Sequence, residues 1–369
     1  MDSMNEEEFN EKAKEYFTNH APDFDNDLII AVIGDVSSGK SSLINAILEC
    51  DRSNKVAEVG ATSGVTTSIE KYRMGDLLVY DSPGLDDIIN DSSKKTVDFI
   101  SQVDIAIFVV SGSANESQKN NYIDVQNKIN HTLLVLNKID QFDDLDPQAL
   151  YEVEQQWIKS TDVKKLYKTC ARGYDPITRK DLPLDTRGIN ELRDEVIKIA
   201  KEHKKELLFI RHLKGRRAKR TQAISIAATA IVAAASFAFV PGSTAYITGA
   251  QVTAIASLDY LYTGEKLNFN KASALALAIA GQNIGKTLFV FAASFIPGGD
   301  VVGSAVAVLI TTAMMAAVIY VFESGKTFDD VKLSEIYNEM YKKIKEIDIS
   351  KNNTKDKGFY ANIIESILK

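Results

Sequence analysis

The sequence predicts an α/β domain with a mainly parallel sheet and flanking helices, followed by an all-α domain rich in alanine. The first observation is an apolar run, Leu28 to Ile33, which precedes a glycine-containing loop and a segment with helical spacing. The second is the recurrence of apolar runs at residues 77–80, 132–136 and 166–169. The third is the stretch from Thr221 to Leu258, which contains no charged residue and marks a change of domain.

The loop after the first apolar run has the composition of a phosphate-binding loop. Residues 34–41 read Gly-Asp-Val-Ser-Ser-Gly-Lys-Ser. The glycines let the backbone turn tightly, so that several N–H groups and the following helix N-terminus face phosphate oxygens. We predict that Lys40 reaches the terminal phosphates and takes part in catalysis, and that the Ser41 hydroxyl ligates magnesium. The alternative is a chance match in a surface loop, which the strand and helix on either side disfavour.

Two further segments are predicted to contact the metal and the γ-phosphate. The second apolar run ends at Asp81, whose carboxylate would hold magnesium through water. Three residues later, the Gly84 N–H would meet the γ-phosphate because no side chain blocks its approach. Between the first helix and this strand, a loop without regular periodicity must bring a threonine hydroxyl to magnesium. We predict Thr66 for this role, with Thr67 and then Thr62 as the alternatives.

The third apolar run, residues 132–136, is followed directly by a segment suited to guanine recognition, Asn137-Lys138-Ile139-Asp140. Asp140 can accept hydrogen bonds from the N1 and N2 donors of guanine, whereas adenine would leave the carboxylate unsatisfied. Asn137 would tie this loop to the phosphate loop, and the Lys138 stem would cover the base. A solvated turn is the alternative for this motif taken alone. After the fourth run, Cys170 is either the start of a turn that offers a backbone N–H to guanine O6 or a small buried apolar residue, and both roles are compatible.

In this order and spacing, the five segments from about Asp27 to Lys204 resemble the GTPase domain of the Ras superfamily, a P-loop NTPase G domain. The phosphate loop and the Leu-Ile-Asn-Ala that follows it resemble Era-like, dynamin-like and immunity-related GTPases. The resemblance implies GTP or GDP and Mg²⁺ as cofactors. It implies that the nucleotide is contacted by Asp35, Val36, Ser37, Ser38, Gly39, Lys40, Ser41, Ser42, Asn137, Lys138, Asp140, Cys170, Ala171 and Arg172, and magnesium by Ser41, Thr66 and Asp81.

One departure from this family bears on catalysis. Leu85 follows Gly84 at the position where Ras-type enzymes carry a water-positioning glutamine. Relatives with an apolar residue here use a potassium ion held by an asparagine, and that position is Ser37 in this chain. We therefore expect slow intrinsic hydrolysis, assisted by a second G domain in a homodimer, another switch residue or an external activator. Asp86 and Asp87 could position the water, although an acidic loop in solvent is the simpler interpretation.

Composition limits the remaining function classes. The chain has 369 residues and a formal net charge of -7, so it lacks a global nucleic-acid footprint, and we expect no DNA partner. Two cysteines, Cys50 and Cys170, are too few for a disulfide framework and fit a reducing cytosol. The four histidines have no ligand spacing, so no transition-metal site is predicted. The acidic N-terminus predicts no secretory signal.

The predicted organisation has five parts. They are an N-terminal amphipathic helix (1–26), the GTPase domain (27–204), a basic linker helix (205–220), an alanine-rich helical domain of two hairpins (221–326) and C-terminal amphipathic helices (327–369). The apolar helices of the fourth part are predicted over Ala223–Val240, Ser243–Tyr262, Lys271–Ile296 and Val301–Phe322. A repeated Phe-Val-Pro-Gly and Phe-Ile-Pro-Gly suggests duplicated hairpins. By composition, this part resembles the helical domain of YcjF-type bacterial proteins.

The length and composition of the helices in this domain bear on whether it contacts a membrane. At 1.5 Å per residue, the fourth helix extends roughly 33 Å, enough for a bilayer core of ~30 Å. Six of the ten residues Arg211–Arg220 are basic, as expected beside an anionic membrane surface. We therefore expect a cytoplasmic GTP-hydrolysing switch whose helical domain docks on or inserts into the inner membrane. The alternative is a soluble regulatory or assembly protein whose bundle of small residues binds a protein partner under nucleotide control.

Overall fold

The computed structural model describes residues 5–59, 70–81, 100–175, 178–237, 243–280, 301–326, 328, 332–347 and 356–369. It divides into two compact units. One unit, called here the G unit, is Asp23–Gly215. The other, called the helical unit, combines Met1–Pro22 with Arg216–Lys369. The G unit is therefore inserted in sequence between the first helix and the remaining helices of the helical unit.

The G unit is built on a six-stranded sheet in the order β2-β3-β1-β4-β5-β6. The strands are β1 (Leu28–Gly34), β2 (Glu70–Met74), β3 (Leu77–Asp81), β4 (Ile105–Val110), β5 (Thr132–Leu136) and β6 (Leu166–Lys168). All neighbouring pairs are parallel except β2 and β3, which form an antiparallel pair at one edge. Every residue of β1 and β4 is buried, as expected for parallel strands that are covered on both faces. The predicted mainly parallel α/β fold is confirmed.

The helices are numbered along the chain, and the first of them, α1 (Glu6–His20), belongs to the helical unit. The G unit contains α2 (Lys40–Ile47), α3 (Glu116–Lys128), α4 (Ala149–Thr161), α5 (Ile189–Glu202) and α6 (Glu206–Ile210). Apolar side chains of α3 and α4 pack on one face of the sheet, where Phe108, Tyr122 and Trp157 form part of one hydrophobic core. Because β1, β3 and β5 run in the same direction, their carboxyl ends lie at the same end of the sheet. The polar residues at these strand ends are therefore brought together.

The helical unit continues with α7 (Arg216–Phe237), α8 (Thr244–Tyr262), α9 (Phe269–Ile279), α10 (Val301–Glu323), α11 (Leu333–Lys345) and α12 (Lys357–Ile367). The basic segment 205–220 was predicted as one linker helix, but the structure divides it, because α6 ends at Ile210 and α7 begins only at Arg216. The helix predicted over Lys271–Ile296 is described only as α9, and residues 281–300 lie outside the described residues.

Within the helical unit, α1 packs closely on α8. The buried side chains of α1 are Phe9 and Ala13, on the amphipathic face that the sequence predicts. A Cβ at Gly249 of α8 would lie 2.7 Å from Tyr16 Cβ and 2.9 Å from the Ala13 carbonyl oxygen. Contacts that short are sterically forbidden, so the absence of a side chain at Gly249 allows the two helices to approach.

Two described helical segments, Arg217–Phe237 and Ala305–Glu323, are long and apolar enough to cross a membrane. In the second, 72% of the most apolar window is buried inside the structure, against 44% in the first. Thr311 in α10 also accepts a buried hydrogen bond from Gln251 Nε2 in α8 (2.8 Å). Because the core helix of a water-soluble bundle has the same features, length and composition alone do not establish a membrane span.

A buried carboxylate in α8 gives a first stability prediction. Asp259 is 5% exposed, and burial, followed by the charge of Glu265, raises the pKa of its carboxyl from 3.8 to about 6. The folded chain therefore holds this proton more tightly than the unfolded chain. The free energy of unfolding falls as the pH rises from the pKa of the unfolded state to that of the folded state, and it levels off above the folded-state pKa. Asp259→Asn is expected to increase stability by about 3 kcal/mol above this range and to leave it unchanged below it.

Thermal unfolding followed by circular dichroism at acidic and mildly alkaline pH measures this difference. Thr263→Val is the comparison variant, because it keeps the charge and removes a hydroxyl that lies 2.9 Å from the Asp259 carbonyl oxygen and 3.2 Å from its carboxylate. It should destabilise the chain at alkaline pH, opposite to Asp259→Asn. Equal melting temperatures for Asp259→Asn and the unsubstituted chain at alkaline pH would contradict the prediction.

Candidate phosphate and guanine site

The loop between β1 and α2 has a backbone that only small residues permit. Gly34 ends β1 with φ +154°, and a Cβ there would lie 2.1 Å from the Val109 carbonyl oxygen of β4. Gly39 precedes the first residue of α2 with φ +92°, and Ser37 adopts φ +65°. These left-handed residues turn the chain sharply from the strand into the helix, which is the geometry of a phosphate-binding loop.

The Lys40 side chain folds back over this loop. Its Nζ donates hydrogen bonds to the carbonyl oxygens of Gly34 (3.0 Å) and Asp35 (2.9 Å). Burial lowers the pKa of the Lys40 ammonium, and the charges of Asp81 and Asp35 oppose that shift. A buried ammonium at the centre of the loop is suited to bind a phosphate. Burial makes its positive charge unfavourable, and a phosphate would supply the opposite charge.

Ser41 and Asp81 meet at the mouth of the loop. The Ser41 hydroxyl donates to Asp81 Oδ2 (2.5 Å), while Asp81 Oδ1 is buried and has no hydrogen-bond partner among the described residues. Burial raises the pKa of the Asp81 carboxyl, partly offset by the Ser41 hydrogen bond and the Lys40 charge. A hydroxyl beside a buried carboxylate with an unused oxygen fits Mg²⁺, which prefers oxygen ligands and keeps several waters.

The raised pKa of Asp81 predicts how magnesium binding depends on pH. The metal needs the carboxylate, so binding must release a proton whenever the carboxyl is protonated. We therefore expect the apparent Mg²⁺ affinity of the GDP complex to fall as the pH decreases through the raised pKa. Mg²⁺ titration of a fluorescent GDP analogue between about pH 5 and pH 8 measures this effect.

Two substitutions separate the Asp81 effect from other titrations. Asp81→Asn should weaken Mg²⁺ binding and remove the pH dependence, because the amide does not titrate. Asp35→Asn is the matched control, since Asp35 already accepts a hydrogen bond from Gln118 Nε2 (2.5 Å), and it should leave the dependence in place. A flat pH profile in the unsubstituted chain would contradict the assignment.

Asn137, directly after β5, joins the phosphate loop to the predicted base-reading loop. Its Nδ2 donates to the Ser38 carbonyl oxygen (3.0 Å), and its Oδ1 accepts from the Thr169 hydroxyl (3.1 Å). Asn137 is only 1% exposed. Gly39 makes this approach possible, because a Cβ there would lie 2.5 Å from Asn137 Nδ2. The loops after β1, β5 and β6 are thus fixed relative to one another by one buried amide.

Asp140 is the second residue of a single 3-10 turn, Ile139–Phe142. Residues of the loop that follows β6 contact its carboxylate. The Cys170 thiol donates to Asp140 Oδ1 (3.3 Å), and Arg172 Nη1 lies 3.8 Å from Asp140 Oδ2. Cys170 is fully buried, and burial, followed by its contact with Asp140, raises the pKa of the thiol to about 12. The thiol therefore stays protonated and acts as a donor to Asp140. The burial of Cys170 agrees with the small buried residue that the sequence offered, while the backbone N–H directed at guanine O6 stays a prediction.

The structure brings most of the predicted residues together. Ser38 and Ala171 are buried, while Val36 is 53% exposed at the tip of the loop. Lys138 has φ +61°, and its Cε lies 3.5 Å from the position of a Gly39 Cβ, so its stem extends over the phosphate loop. The predictions for Thr66 and Gly84, the alternatives Thr62 and Thr67, and Leu85, Asp86 and Asp87 lie outside the described residues.

Two residues that organise the site were not assigned a role from the sequence. The Asn45 Oδ1 of α2 accepts from the backbone N–H groups of Val56 (2.8 Å) and Ala57 (3.0 Å), and its Nδ2 donates to the Ala57 carbonyl oxygen (2.8 Å). Asn45 thereby fixes the segment that follows α2. Thr169 orients Asn137, as described above. The sequence contains a signal for Asn45, because an amide stands among the apolar residues of this helix. The structure buries this amide fully, and a buried amide needs hydrogen-bond partners.

Comparisons with known proteins agree with this geometry. Residues 29–138 match the family described as 50S ribosome-binding GTPase. The tRNA modification GTPase MnmE of Mycoplasma mobile is 30% identical over 121 residues, which are 31% of this chain and 27% of that protein. GTPase Der of Nautilia profundicola is 28% identical over 122 residues, 30% of this chain and 26% of that protein. The chain thus spans about a quarter of the length of these relatives.

Among solved structures, a probable GTP-binding protein EngB is similar at 16% identity with a TM-score of 0.32, covering 47% of this chain and 99% of that one. The sheet order and the loop geometry give the G unit the fold of a P-loop G domain, and residues 29–138 of this unit are similar to a GTPase family. The matched residues end at 138, so the YcjF-type resemblance of the helical domain stays a prediction.

Proposed function

We propose that the chain binds GTP with Mg²⁺ and hydrolyses it to GDP and phosphate. The contact from Asn137 to the Ser38 carbonyl oxygen carries this proposal, because it fixes the loop proposed to read guanine beside the phosphate loop. The similarity of residues 29–138 to GTPases supports the same activity.

Each residue has a role in this proposal. Lys40 neutralises charge on the β- and γ-phosphates, and Ser41 and Asp81 hold the metal directly or through water. Thr66 and Gly84 are proposed to close on the γ-phosphate and so signal the GTP state. Because Leu85 cannot orient the attacking water, turnover of the dilute protein is expected in the intrinsic range of about 10⁻⁴ to 10⁻² s⁻¹.

Steady-state phosphate release from GTP, measured over a range of protein concentrations with ATP in parallel, tests this activity. We expect Mg²⁺-dependent release from GTP alone, lost in Lys40→Ala. A specific activity that rises with protein concentration would support completion of the site by a second G domain. Absence of GTP binding would overturn the proposal, and fast turnover that is independent of concentration would identify a water-positioning residue other than those named, with Asp86 as the first to test.

We further propose that the helical unit docks on the cytoplasmic face of the inner membrane and that nucleotide state controls this docking. The two apolar helices and the basic start of α7 support the proposal. The burial of α10 favours peripheral docking over insertion, and it also favours the second candidate, a soluble regulatory bundle that binds a protein partner.

Vesicle flotation of the full-length chain with GDP or a non-hydrolysable GTP analogue distinguishes these candidates. Docking predicts that protein floats with vesicles containing anionic lipid and that the floated fraction differs between the two nucleotides. Protein that stays in the soluble fraction with both nucleotides, while it still hydrolyses GTP, would refute docking and favour the soluble candidate.

A further inference from the structure

The end of α2 carries a glutamate in a backbone conformation that favours glycine. α2 ends at Ile47, and Glu49, two positions later, has φ +57°. The N–H of Glu49 donates to the Ala46 carbonyl oxygen (3.1 Å). The N–H of Cys50 donates to the Asn45 carbonyl oxygen (2.9 Å). These two bonds form a Schellman motif, in which the left-handed residue is usually glycine. Because another residue is strained there, the Glu49 side chain is expected to form an interaction that offsets the strain.

The Glu49 carboxylate makes two such contacts, one with each oxygen. Its Oε1 lies 3.0 Å from Nη1 of Arg193 in α5, and its Oε2 accepts a hydrogen bond from the backbone N–H of Gly215 (2.9 Å). A Cβ at Gly215 would clash with Glu49 Oε2, so the approach depends on the absence of a side chain there. Gly215 is the last residue of the G unit, and α7 begins at Arg216. The carboxylate therefore holds the end of the G unit at the end of α2.

The carbonyl groups at the end of α2 are bonded by the same surroundings. Arg193 is only 9% exposed, and its guanidinium donates to the carbonyl oxygens of Ala46 (Nη2, 2.9 Å) and Ile47 (Nε, 2.7 Å). The backbone N–H of Lys214 donates to the Leu48 carbonyl oxygen (3.3 Å). A helix provides no internal partners for its last carbonyl groups, and a cation beside them is favourable. Arg193 and Lys214 supply these partners. Glu49, Arg193, Lys214 and Gly215 are called here the α2 latch.

The other end of α2 carries residues of the phosphate loop. α2 begins at Lys40 and has eight residues, so about 12 Å of helix separate the phosphate loop from the α2 latch. All of these residues except Ser41 and Ser42 are buried. A buried helix of about two turns is expected to open as one cooperative unit. An opening of α2 that releases the latch would therefore disrupt the phosphate loop as well.

We infer that the α2 latch couples nucleotide occupancy to the segment that enters the helical unit. Bound nucleotide keeps α2 closed, and closed α2 keeps Lys214 and Gly215 bonded. The inference rests on the proposed nucleotide binding and adds a regulated segment to it. A ligand that binds only the closed site lowers the population of every state in which that site is lost, so it stabilises the latch too. Without the Glu49 carboxylate, the segment opens independently of α2, and nucleotide no longer affects it.

Hydrogen–deuterium exchange of the full-length chain, with and without GDP and Mg²⁺, tests this coupling in peptides that contain Lys214 and Gly215. With GDP at about 100 times its Kd, openings that disrupt the nucleotide site are suppressed about 100-fold, so exchange of these two amides should slow by about tenfold or more. Glu49→Gly removes the carboxylate and places the favoured residue in the Schellman motif, so the variant is expected to fold. Its two amides should exchange fast and equally with and without GDP, while GDP still protects α2.

Two further variants make the test specific. Gly215→Ala breaks the same contact from the other side, because its Cβ displaces the Glu49 carboxylate, and it should also lose the GDP effect in this segment. Asp51→Asn is the matched control. It removes the same charge from an exposed residue two positions away and should behave like the unsubstituted chain.

Four outcomes would overturn the inference. Equal exchange of Lys214 and Gly215 with and without GDP in the unsubstituted chain, while GDP protects α2, would mean that the segment opens independently of the nucleotide site. A GDP effect that persists in Glu49→Gly or Gly215→Ala would assign the coupling to other contacts. An equal loss in Asp51→Asn would attribute it to charge alone. If GDP protects no part of the chain, nucleotide binding is refuted, and the inference falls together with the proposed function.

Discussion

Replacing Asp140 with asparagine is expected to lower the affinity for GTP at least tenfold and to create affinity for xanthosine triphosphate. In the proposed site the carboxylate would accept hydrogen bonds from the N1 and N2 donors of guanine, and each bond to a charged group contributes roughly 1.5–3 kcal/mol. The amide of asparagine presents a donor in place of one acceptor. Xanthine carries a carbonyl where guanine carries its 2-amino group, so the changed pairing fits xanthine.

The structure explains why the substituted side chain should keep its orientation. Cys170 is a protonated thiol that donates to Asp140 Oδ1, and an asparagine can keep that bond only with its own oxygen at the same position. Its nitrogen then takes the place of Oδ2. The xanthine preference is therefore expected to weaken when Cys170→Ala is added to the Asp140 substitution, because the amide is then free to flip.

Isothermal titration with GTP, ATP and xanthosine triphosphate measures these affinities. Asp143→Asn is the matched control, because Asp143 belongs to the same short segment but forms an ion pair with Arg187 (2.7 Å). It should leave the order of nucleotide affinities unchanged. If Asp140→Asn binds GTP as tightly as the unsubstituted chain, Asp140 does not read the base.

The strands β3 and β5 were predictable because each is an apolar run that leads directly into a polar motif residue, Asp81 or Asn137. The run 132–136 coincides with β5, and Asn137 follows it directly. We did not assign β2 or β4 from the sequence. The residues of β2 are alternately half-buried and exposed, as expected at an edge, so they form no apolar run. The strand order, with β1 between β3 and β4, depends on long-range pairing that local patterns do not encode.

The helix boundaries show a different limit. The first helix of the alanine-rich domain was predicted to begin at Ala223, whereas α7 begins at Arg216. Apolar composition marks only the part of a helix that other elements cover, while arginine and lysine are themselves good helix formers. The basic residues therefore extend the helix, and this extension places Arg217 and Lys219 beside Tyr262. No pattern local to residues 211–220 could have predicted that Arg217, Lys219 and Tyr262 line the same cavity.

Within the candidate site, sequence reasoning assigned roles more readily to the residues that are proposed to touch the nucleotide than to the residues that position them. Lys40, Ser41 and Asp140 belong to short motifs whose spacing reflects the nucleotide itself. Thr169 acts through Asn137, which lies 32 positions away in sequence. Such a bond exists only once β5 and β6 are paired, so it is a property of the fold. The roles of Thr66 and Gly84 stay predictions.

Gly39→Ala is expected to abolish measurable binding of guanine nucleotides while leaving the domain folded. A Cβ at this position would lie 2.5 Å from Asn137 Nδ2, well inside the shortest distance that real Cβ atoms adopt. Asn137 cannot move away freely, because it is buried and bonded to both Ser38 and Thr169. Either the phosphate loop or the proposed base-reading loop must shift, and both are proposed to hold the same nucleotide.

The expected magnitude follows from two costs. An alanine with positive φ carries backbone strain of order 1–3 kcal/mol. Loss of the buried Asn137 hydrogen bond adds about 1–3 kcal/mol. If half of this total, about 1–3 kcal/mol, acts on the bound state, the affinity falls by roughly 5- to 150-fold at 1.4 kcal/mol per factor of ten. Displacement of the N–H groups that face the phosphates would reduce it further.

Gly112→Ala provides a close control for the backbone strain. Gly112 has φ +86°, against +92° at Gly39, but a Cβ at Gly112 would meet nothing within 4 Å. Both substitutions therefore impose similar backbone strain, and only Gly39→Ala adds the clash with Asn137. Titration of a fluorescent GDP analogue should show near-normal affinity for Gly112→Ala and none for Gly39→Ala, with both variants giving the circular dichroism spectrum of the unsubstituted chain. If both variants lose affinity equally, strain in the glycine backbone would be the cause, and the contact between Gly39 and Asn137 would not be what aligns the two loops on one nucleotide.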